Sequence, residues 1–310
     1  MDPYSPRLPV LSAEPAGSSP QELGSRVQAN WQRAGADRPT LQQPDRPGFL
    51  HRTGLQTVAT GQQGLDFLTF IGQVALAGAS MLRYPSRMRW RVFLHELQIG
   101  GFDALPIIGL TAFLLGVVVA YQGADQLRNY GANIFVVELV GYAMLREFAP
   151  LISAIIIAGR SGSAYAAQLG TMVVNEEVDA LSTIGIDPLQ RLVWPRILAL
   201  AIALPLLTVF ADIAGVFGGM VMASTQLDIG FAEFLARFGR VMQGTALLVG
   251  VGKSFVFAFI IVLVGCFQGL RTRGSADSVG RQTTVSVVQA IFLVIVADAL
   301  FSVAFNVLGI

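Results

Sequence analysis

Ionisable side chains standing inside oily runs are the first residues in this sequence that could do chemistry. Arg146 and Glu147 lie about halfway along one apolar run, Ile134 to Ala158, and Lys253 lies a third of the way into another, Ala246 to Leu270. Asp212 and Asp298 occupy two more such runs and read as similar structural polar groups. A charge at membrane depth is costly, so it pairs or lines a polar cavity. Two roles stay open for Arg146, Glu147 and Lys253: a structural ion pair that fixes helix register, or a contact with a lipid headgroup. In spans that run the same way, Glu147 and Lys253 differ in depth by roughly 8 Å, a gap that a lysine stem largely covers.

The second constellation is a polar island, GRSGSAYAAQLGTMVVNEEVDALSTIGIDP, from Gly159 to Pro188. Read as a loop of about 30 residues between two spans, it must face water. Its first part alternates small residues, which let helix backbones approach closely. Its second part reads as a short helix in which Asn175 caps the free amides, Glu176 and Glu177 occupy the first turn, and Gly185 with Pro188 ends it. Val174, Val178, Leu181 and Ile184 fall on one stripe, away from Glu176, Glu177 and Asp179. Such a helix either lies on its own protein or is docked by another.

Other motifs fail on spacing. VGVGKS, Val249 to Ser254, resembles the tail of a phosphate-binding loop, but the required glycine position is Leu247 and a membrane run follows. His51 and His95 stand apart from any acidic or cysteine cluster, so no metal site is expected. The single cysteine, Cys266, excludes a disulfide framework within one chain. Gly159-Arg160-Ser161-Gly162 lacks the spacing of an esterase elbow. Neither catalysis nor a cofactor is called for.

The elements that must position these groups follow from composition. With 310 residues, 53% hydrophobic and 13% charged, and a mean hydropathy of +0.60, the chain reads as an all-α membrane protein. The net charge of +1 says little about partners. Five spans are expected at about 104–121, 134–158, 192–223, 246–270 and 285–310. Residues 1–50, rich in Pro, Ser, Gln and Gly, read as a disordered tail without a cleavable leader. Residues 51–100 form an interfacial region: Leu65 to Leu82 is apolar but weakened by Asp66 and Gln73, and Arg83, Arg87, Arg89 and Arg91 follow. Residues 101–310 form the membrane domain. Arginine bias favours a cytoplasmic N-terminus, a cytoplasmic island and an external C-terminus.

NEEVDAL, preceded by AGRSGSAYAAQLGTM and followed by IGIDPLQRLVWPR, resembles the signature of the MlaE (YrbE-type) permeases, membrane subunits of ABC lipid transporters. The likeness covers about Phe67 to Ile310 and includes Arg146, Glu147 and Pro150 together with Lys253 and Ser254. It implies that Asn175, Glu176, Glu177, Asp179, Ala180 and Leu181 form a coupling helix for a separate cytoplasmic ATPase. It further implies a permease homodimer in the bacterial inner membrane, an Mce-type periplasmic lipid-binding partner, a small STAS-like accessory chain and phospholipid as cargo. Nucleic acid is not an expected partner. Two competing classes are an ion-coupled secondary transporter, relaying protons through Glu138, Glu147, Lys253 and Asp298, and a membrane-embedded lipid-modifying enzyme.

Overall fold

A computed structural model describes residues 49–83, 90–128, 133–242 and 244–308. The chain separates into two compact units, Met1–Gly61 and Gln62–Ile310. In the first, only the start of a helix is described. The tail reading for 1–50 and the residues Arg87 and Arg89 therefore lie outside, or almost wholly outside, the described residues.

The described residues are helical without strands. Helix α1 spans Phe49–Arg83 and α2 Trp90–Gly100. Then come α3 (Leu105–Arg128), α4 (Val136–Tyr142), α5 (Ala149–Ile157), α6 (Ser163–Val174) and the short α7 (Glu177–Thr183). The long α8 (Trp194–Gln226) is followed by α9 (Phe231–Val241), α10 (Gly244–Leu270) and α11 (Ala276–Leu308). Five continuous stretches among them are long and apolar enough to cross a bilayer: Trp90–Leu127, Val136–Val174, Leu189–Gln226, Gly244–Leu270 and Ala276–Leu308.

Close backbone approach holds these stretches together. Lipid gives no hydrophobic drive for helix association, so contact rests on van der Waals packing between small residues. Helix α3 runs against α8 where Gly116 meets Gly215; a Cβ on Gly116 would stand 1.9 Å from the Gly215 carbonyl oxygen. Helix α10 is the centre, touching α6, α8 and α11, and it buries Phe257, Ala258, Ile261 and Cys266 completely.

The water-facing loop expected from Gly159 is corrected. Helix continues from Ala158 through Val174, and Tyr165, Ala166, Leu169 and Gly170 are buried. The small residues are seats for α10: a Cβ on Gly269 would come within 2.9 Å of the Ala166 carbonyl oxygen. Polarity marked this segment as wet, whereas its small side chains make it an interhelical contact. Helix α1 buries Phe70, Val74 and Ala77 at helical spacing. Rings of Phe67 and Phe70 lie 5.1 and 5.5 Å from that of Phe267, and Trp194 Nε1 donates to the Val74 carbonyl at 2.8 Å.

Candidate functional site

Lys253 sits on α10 with its side chain fully buried, and three acceptors surround its ammonium. Nζ donates to Glu147 Oε2 at 2.6 Å, to Asp298 Oδ1 at 3.0 Å and to Ser302 Oγ at 3.4 Å. An ammonium has three N–H groups and no acceptor, so this shell uses its full capacity. Ser302 in turn donates to Glu147 Oε2 at 2.8 Å, and Arg146 Nε stands 3.8 Å from Glu147 Oε1. Two cations thus face two carboxylates. The cluster ties the second, fourth and fifth membrane stretches together, and Glu147, at 32% side-chain exposure, is its open side.

Sequence reasoning paired Glu147 with Lys253 and named Asp298 beside them only as a relay member in the competing carrier reading. The signal was available. Depth counted from the common end of the expected fourth and fifth spans separates Lys253 and Asp298 by about 6 Å, less than the gap to Glu147. Glu138, the other member of that relay, instead pairs with Arg237 of α9, whose Nε donates to it at 3.0 Å and whose guanidinium lies over the Phe135 ring.

Backbone irregularity presents the cluster. Ala143–Phe148 is a π-helical turn, closed by the Ala149 N–H on the Met144 carbonyl. A second such turn, Leu189–Val193, is closed by the Trp194 N–H on Leu189. Both precede a proline in the pattern Arg-x-x-x-Pro: Arg146 with Pro150, Arg191 with Pro195. Proline has no N–H, so the arginine carbonyl four residues earlier loses its α-helical partner and the ladder shifts to a wider ring. Sequence reading took Pro150 only as part of the family pattern with Arg146 and Glu147. A third π-turn, Ala158–Gly162, has no proline and carries Arg160, whose Nη2 reaches Asp103 at 3.4 Å.

At the end of the bundle near α7, a second buried pair locks the frame. Arg196 of α8 donates through Nε to Glu96 of α2 at 3.2 Å and through Nη2 to Gln168 of α6 at 2.8 Å. Its guanidinium lies 5.3 Å from the Tyr165 ring centre. Arg196 and Glu96 are 6% and 7% exposed, so removing either would strand a buried charge.

Helix α7 projects from this frame. The expected cap is corrected: Asn175 closes α6, its N–H donating to the Thr171 carbonyl and the next N–H, of Glu176, to the Val173 carbonyl, and the residue before α7 is Glu176, in the left-handed region at φ 60°. No side chain caps the α7 amides; Asn175 Nδ2 instead donates to Glu177 Oε1 at 3.3 Å. The chain turns sharply between two helices here, and the preceding helix claims Asn175. The C-terminal reading is matched in detail. Gly185, at φ 76°, donates to Ser182, and Ile186 donates to Leu181, the paired bonds of a Schellman end.

None of the α7 residues is buried. Glu176, Glu177, Asp179 and Ala180 are exposed, Leu181 and Val178 are half-covered, and Ile184 is 69% exposed. The acidic residues make no ion pair within the chain among the described residues. This helix therefore does not lie on its own protein. Its stripe and its charges are both available to another surface.

The family model described as Permease MlaE matches residues 93–304. A probable ABC transporter permease protein of Rickettsia felis is 31% identical over 251 residues, covering 80% of this chain and 96% of that protein. A probable ABC transporter permease protein of Synechocystis is 35% identical over 239 residues, covering 77% and 91%. The intermembrane phospholipid transport system permease protein MlaE of Haemophilus influenzae is 28% identical over 247 residues, covering 77% and 93%.

Proposed function

Because this chain belongs to the MlaE permease family, we propose that it is the membrane subunit of an ABC transporter that moves phospholipid or a related lipid between inner and outer membranes. A separate cytoplasmic ATPase docks on α7. The observation that carries this reading is the state of that helix: rigidly ended, acidic, unburied, and tethered at both sides to membrane stretches. A partner can drive the spans only if its contact differentially stabilises two arrangements, and a mobile loop would not transmit such a bias. In α7, Leu181 enters an apolar pocket of the ATPase while Glu176, Glu177 and Asp179 face basic groups.

Helix α11 supports a permease homodimer. Within one chain it buries only Ser286, Ala290 and Val294, while Phe292, Leu300, Val303 and Val307 stay 64% exposed or more. A second copy covers this face. The Lys253 cluster opens beside it through Glu147 and is the proposed point where a lipid headgroup is met. The protein resides in the bacterial inner membrane with α7 and the N-terminus in the cytoplasm and the C-terminus in the periplasm. There an Mce-type lipid-binding protein receives or delivers the cargo, and a small STAS-like chain is a further accessory.

Purification in mild detergent, followed by identification of bound proteins and lipids, tests this reading. An ABC ATPase and phospholipid should copurify in stoichiometric amounts. Lipid transport that persists in vesicles lacking any ATPase would contradict it and favour an ion-coupled carrier.

A further inference from the structure

A groove of about 390 Å³ lies between α8, α9 and the beginning of α10. Val209, Phe217, Phe234 and Phe238 wall it, and Ile213 and Leu235, 65% and 59% exposed, form its lipid-facing rim. Along α8 it runs from Val209 to Met220, about 16 Å of helix. Its one ionisable lining residue is Asp212, which is 4% exposed and has no hydrogen-bond partner at either carboxyl oxygen. Other carboxylates of the bundle are answered from within the chain: Glu96 meets Arg196, Glu138 meets Arg237, and Glu147 and Asp298 share Lys253. Among the described residues Asp212 has no such cation. A buried polar group left without a partner is destabilising and calls for an explanation.

Depth rules out the polar part of a lipid as the missing partner. Asp212 lies 14 residues, about 21 Å, inside the Gln226 end of α8 and 18 residues, about 27 Å, from its Trp194 end. In a hydrocarbon layer about 30 Å thick this is mid-span, where lipids offer only acyl chains. An ionisable group at that depth pairs with another, and a second membrane-crossing helix is what can carry one there. We infer that the groove seats a transmembrane helix of a partner subunit, with one Lys or Arg near its midpoint whose side chain runs along the groove to Asp212. Such a side chain suits every part of the site. Its methylene stem lies on the apolar walls, the phenyl faces attract its charge, and its head meets the carboxyl. Either charge alone is costly in the membrane, so the pair is satisfied only in the complex and specifies both partner and register. Leu145 lines the groove from the same π-turn that presents Glu147 to Lys253, so a seated helix also braces that turn. This surface is distinct from α7 and from the exposed face of α11.

The test uses the full chain in its native membrane without ATP, so its outcome is independent of the transport reading. p-Benzoylphenylalanine in place of Leu235, at the exposed rim, is photolysed, and the crosslinked peptide is sequenced by mass spectrometry. It should be a transmembrane segment of another protein with a Lys or Arg within one turn of its midpoint. Asp212→Leu should lower the adduct about ten-fold or more, the size of one charge-assisted hydrogen bond, while the chain melts in detergent at an equal or higher temperature. If Asp212→Leu fails to insert, a synthetic Leu-Ala transmembrane peptide decides the matter on the unaltered chain in vesicles. With a diazirine beside a central Lys, it should label peptides spanning 209–220 and 231–241 about ten-fold more than the same peptide with a central Leu. An adduct unchanged by Asp212→Leu, or equal labelling by the two peptides, would overturn the proposal. So would adducts only to lipid, to a second copy of this chain, or to a segment without a basic residue near its midpoint.

Discussion

The Lys253 cluster and helix α7 carry charge in opposite ways. Lys253 is wholly buried and each of its N–H groups meets an acceptor within the chain. The carboxylates of α7 meet no cation among the described residues. Burial makes the first arrangement sensitive to the loss of any member, because an uncompensated charge in a low-dielectric interior is far more costly than one in water. Solvent makes the second almost indifferent to substitution in the isolated chain. Charge inside the bundle therefore specifies helix arrangement, whereas charge on α7 is available for recognition.

Substitutions sharpen this contrast. Lys253→Met should have the largest effect, about 3 to 5 kcal/mol, because Glu147 and Asp298 are left facing each other without their cation. Thermal unfolding in detergent reads this directly. Adding Glu147→Gln should restore part of the loss, and strict additivity would show that the two side chains are not coupled. Arg196→Leu should follow at roughly 3 kcal/mol, since Glu96 is left buried and unpaired. The same unfolding assay, with Glu96→Gln as the compensating change, checks it.

Smaller effects lie on the α7 side. Gly185→Ala should cost about 1 to 2 kcal/mol locally, because the left-handed φ that closes the helix strains any Cβ. Faster hydrogen exchange at the Gly185 and Ile186 amides, with the spans unaffected, is the expected signature. Glu177→Lys should change stability by less than about 0.5 kcal/mol. A large destabilisation by Glu177→Lys would break the contrast.

The spans and the acidic helix were legible in the sequence because long uncharged runs and a Gly-terminated amphipathic segment have few alternative structures. The Gly159–Gly170 segment was misread because polarity was taken for hydration, although its small residues also permit tight packing. Asn175 was misassigned because a capping residue between two abutting helices can serve either one. The π-turns escaped because Pro150 was matched as a pattern, without asking which carbonyl a proline leaves unpaired. Asp298 was passed over as a partner because pairing was sought two at a time, and a buried ammonium needs three acceptors.

The central claim is that α7 is where an ATPase attaches, and Leu181→Asp combined with Glu177→Lys tests it most directly. The variant should insert and purify as a dimer with an unchanged melting temperature. Binding of the ATPase, measured on the reconstituted permease, should be lost, and lipid transport and stimulated ATP turnover should fall with it. An ATPase that remains bound and drives transport at the normal rate would contradict the account.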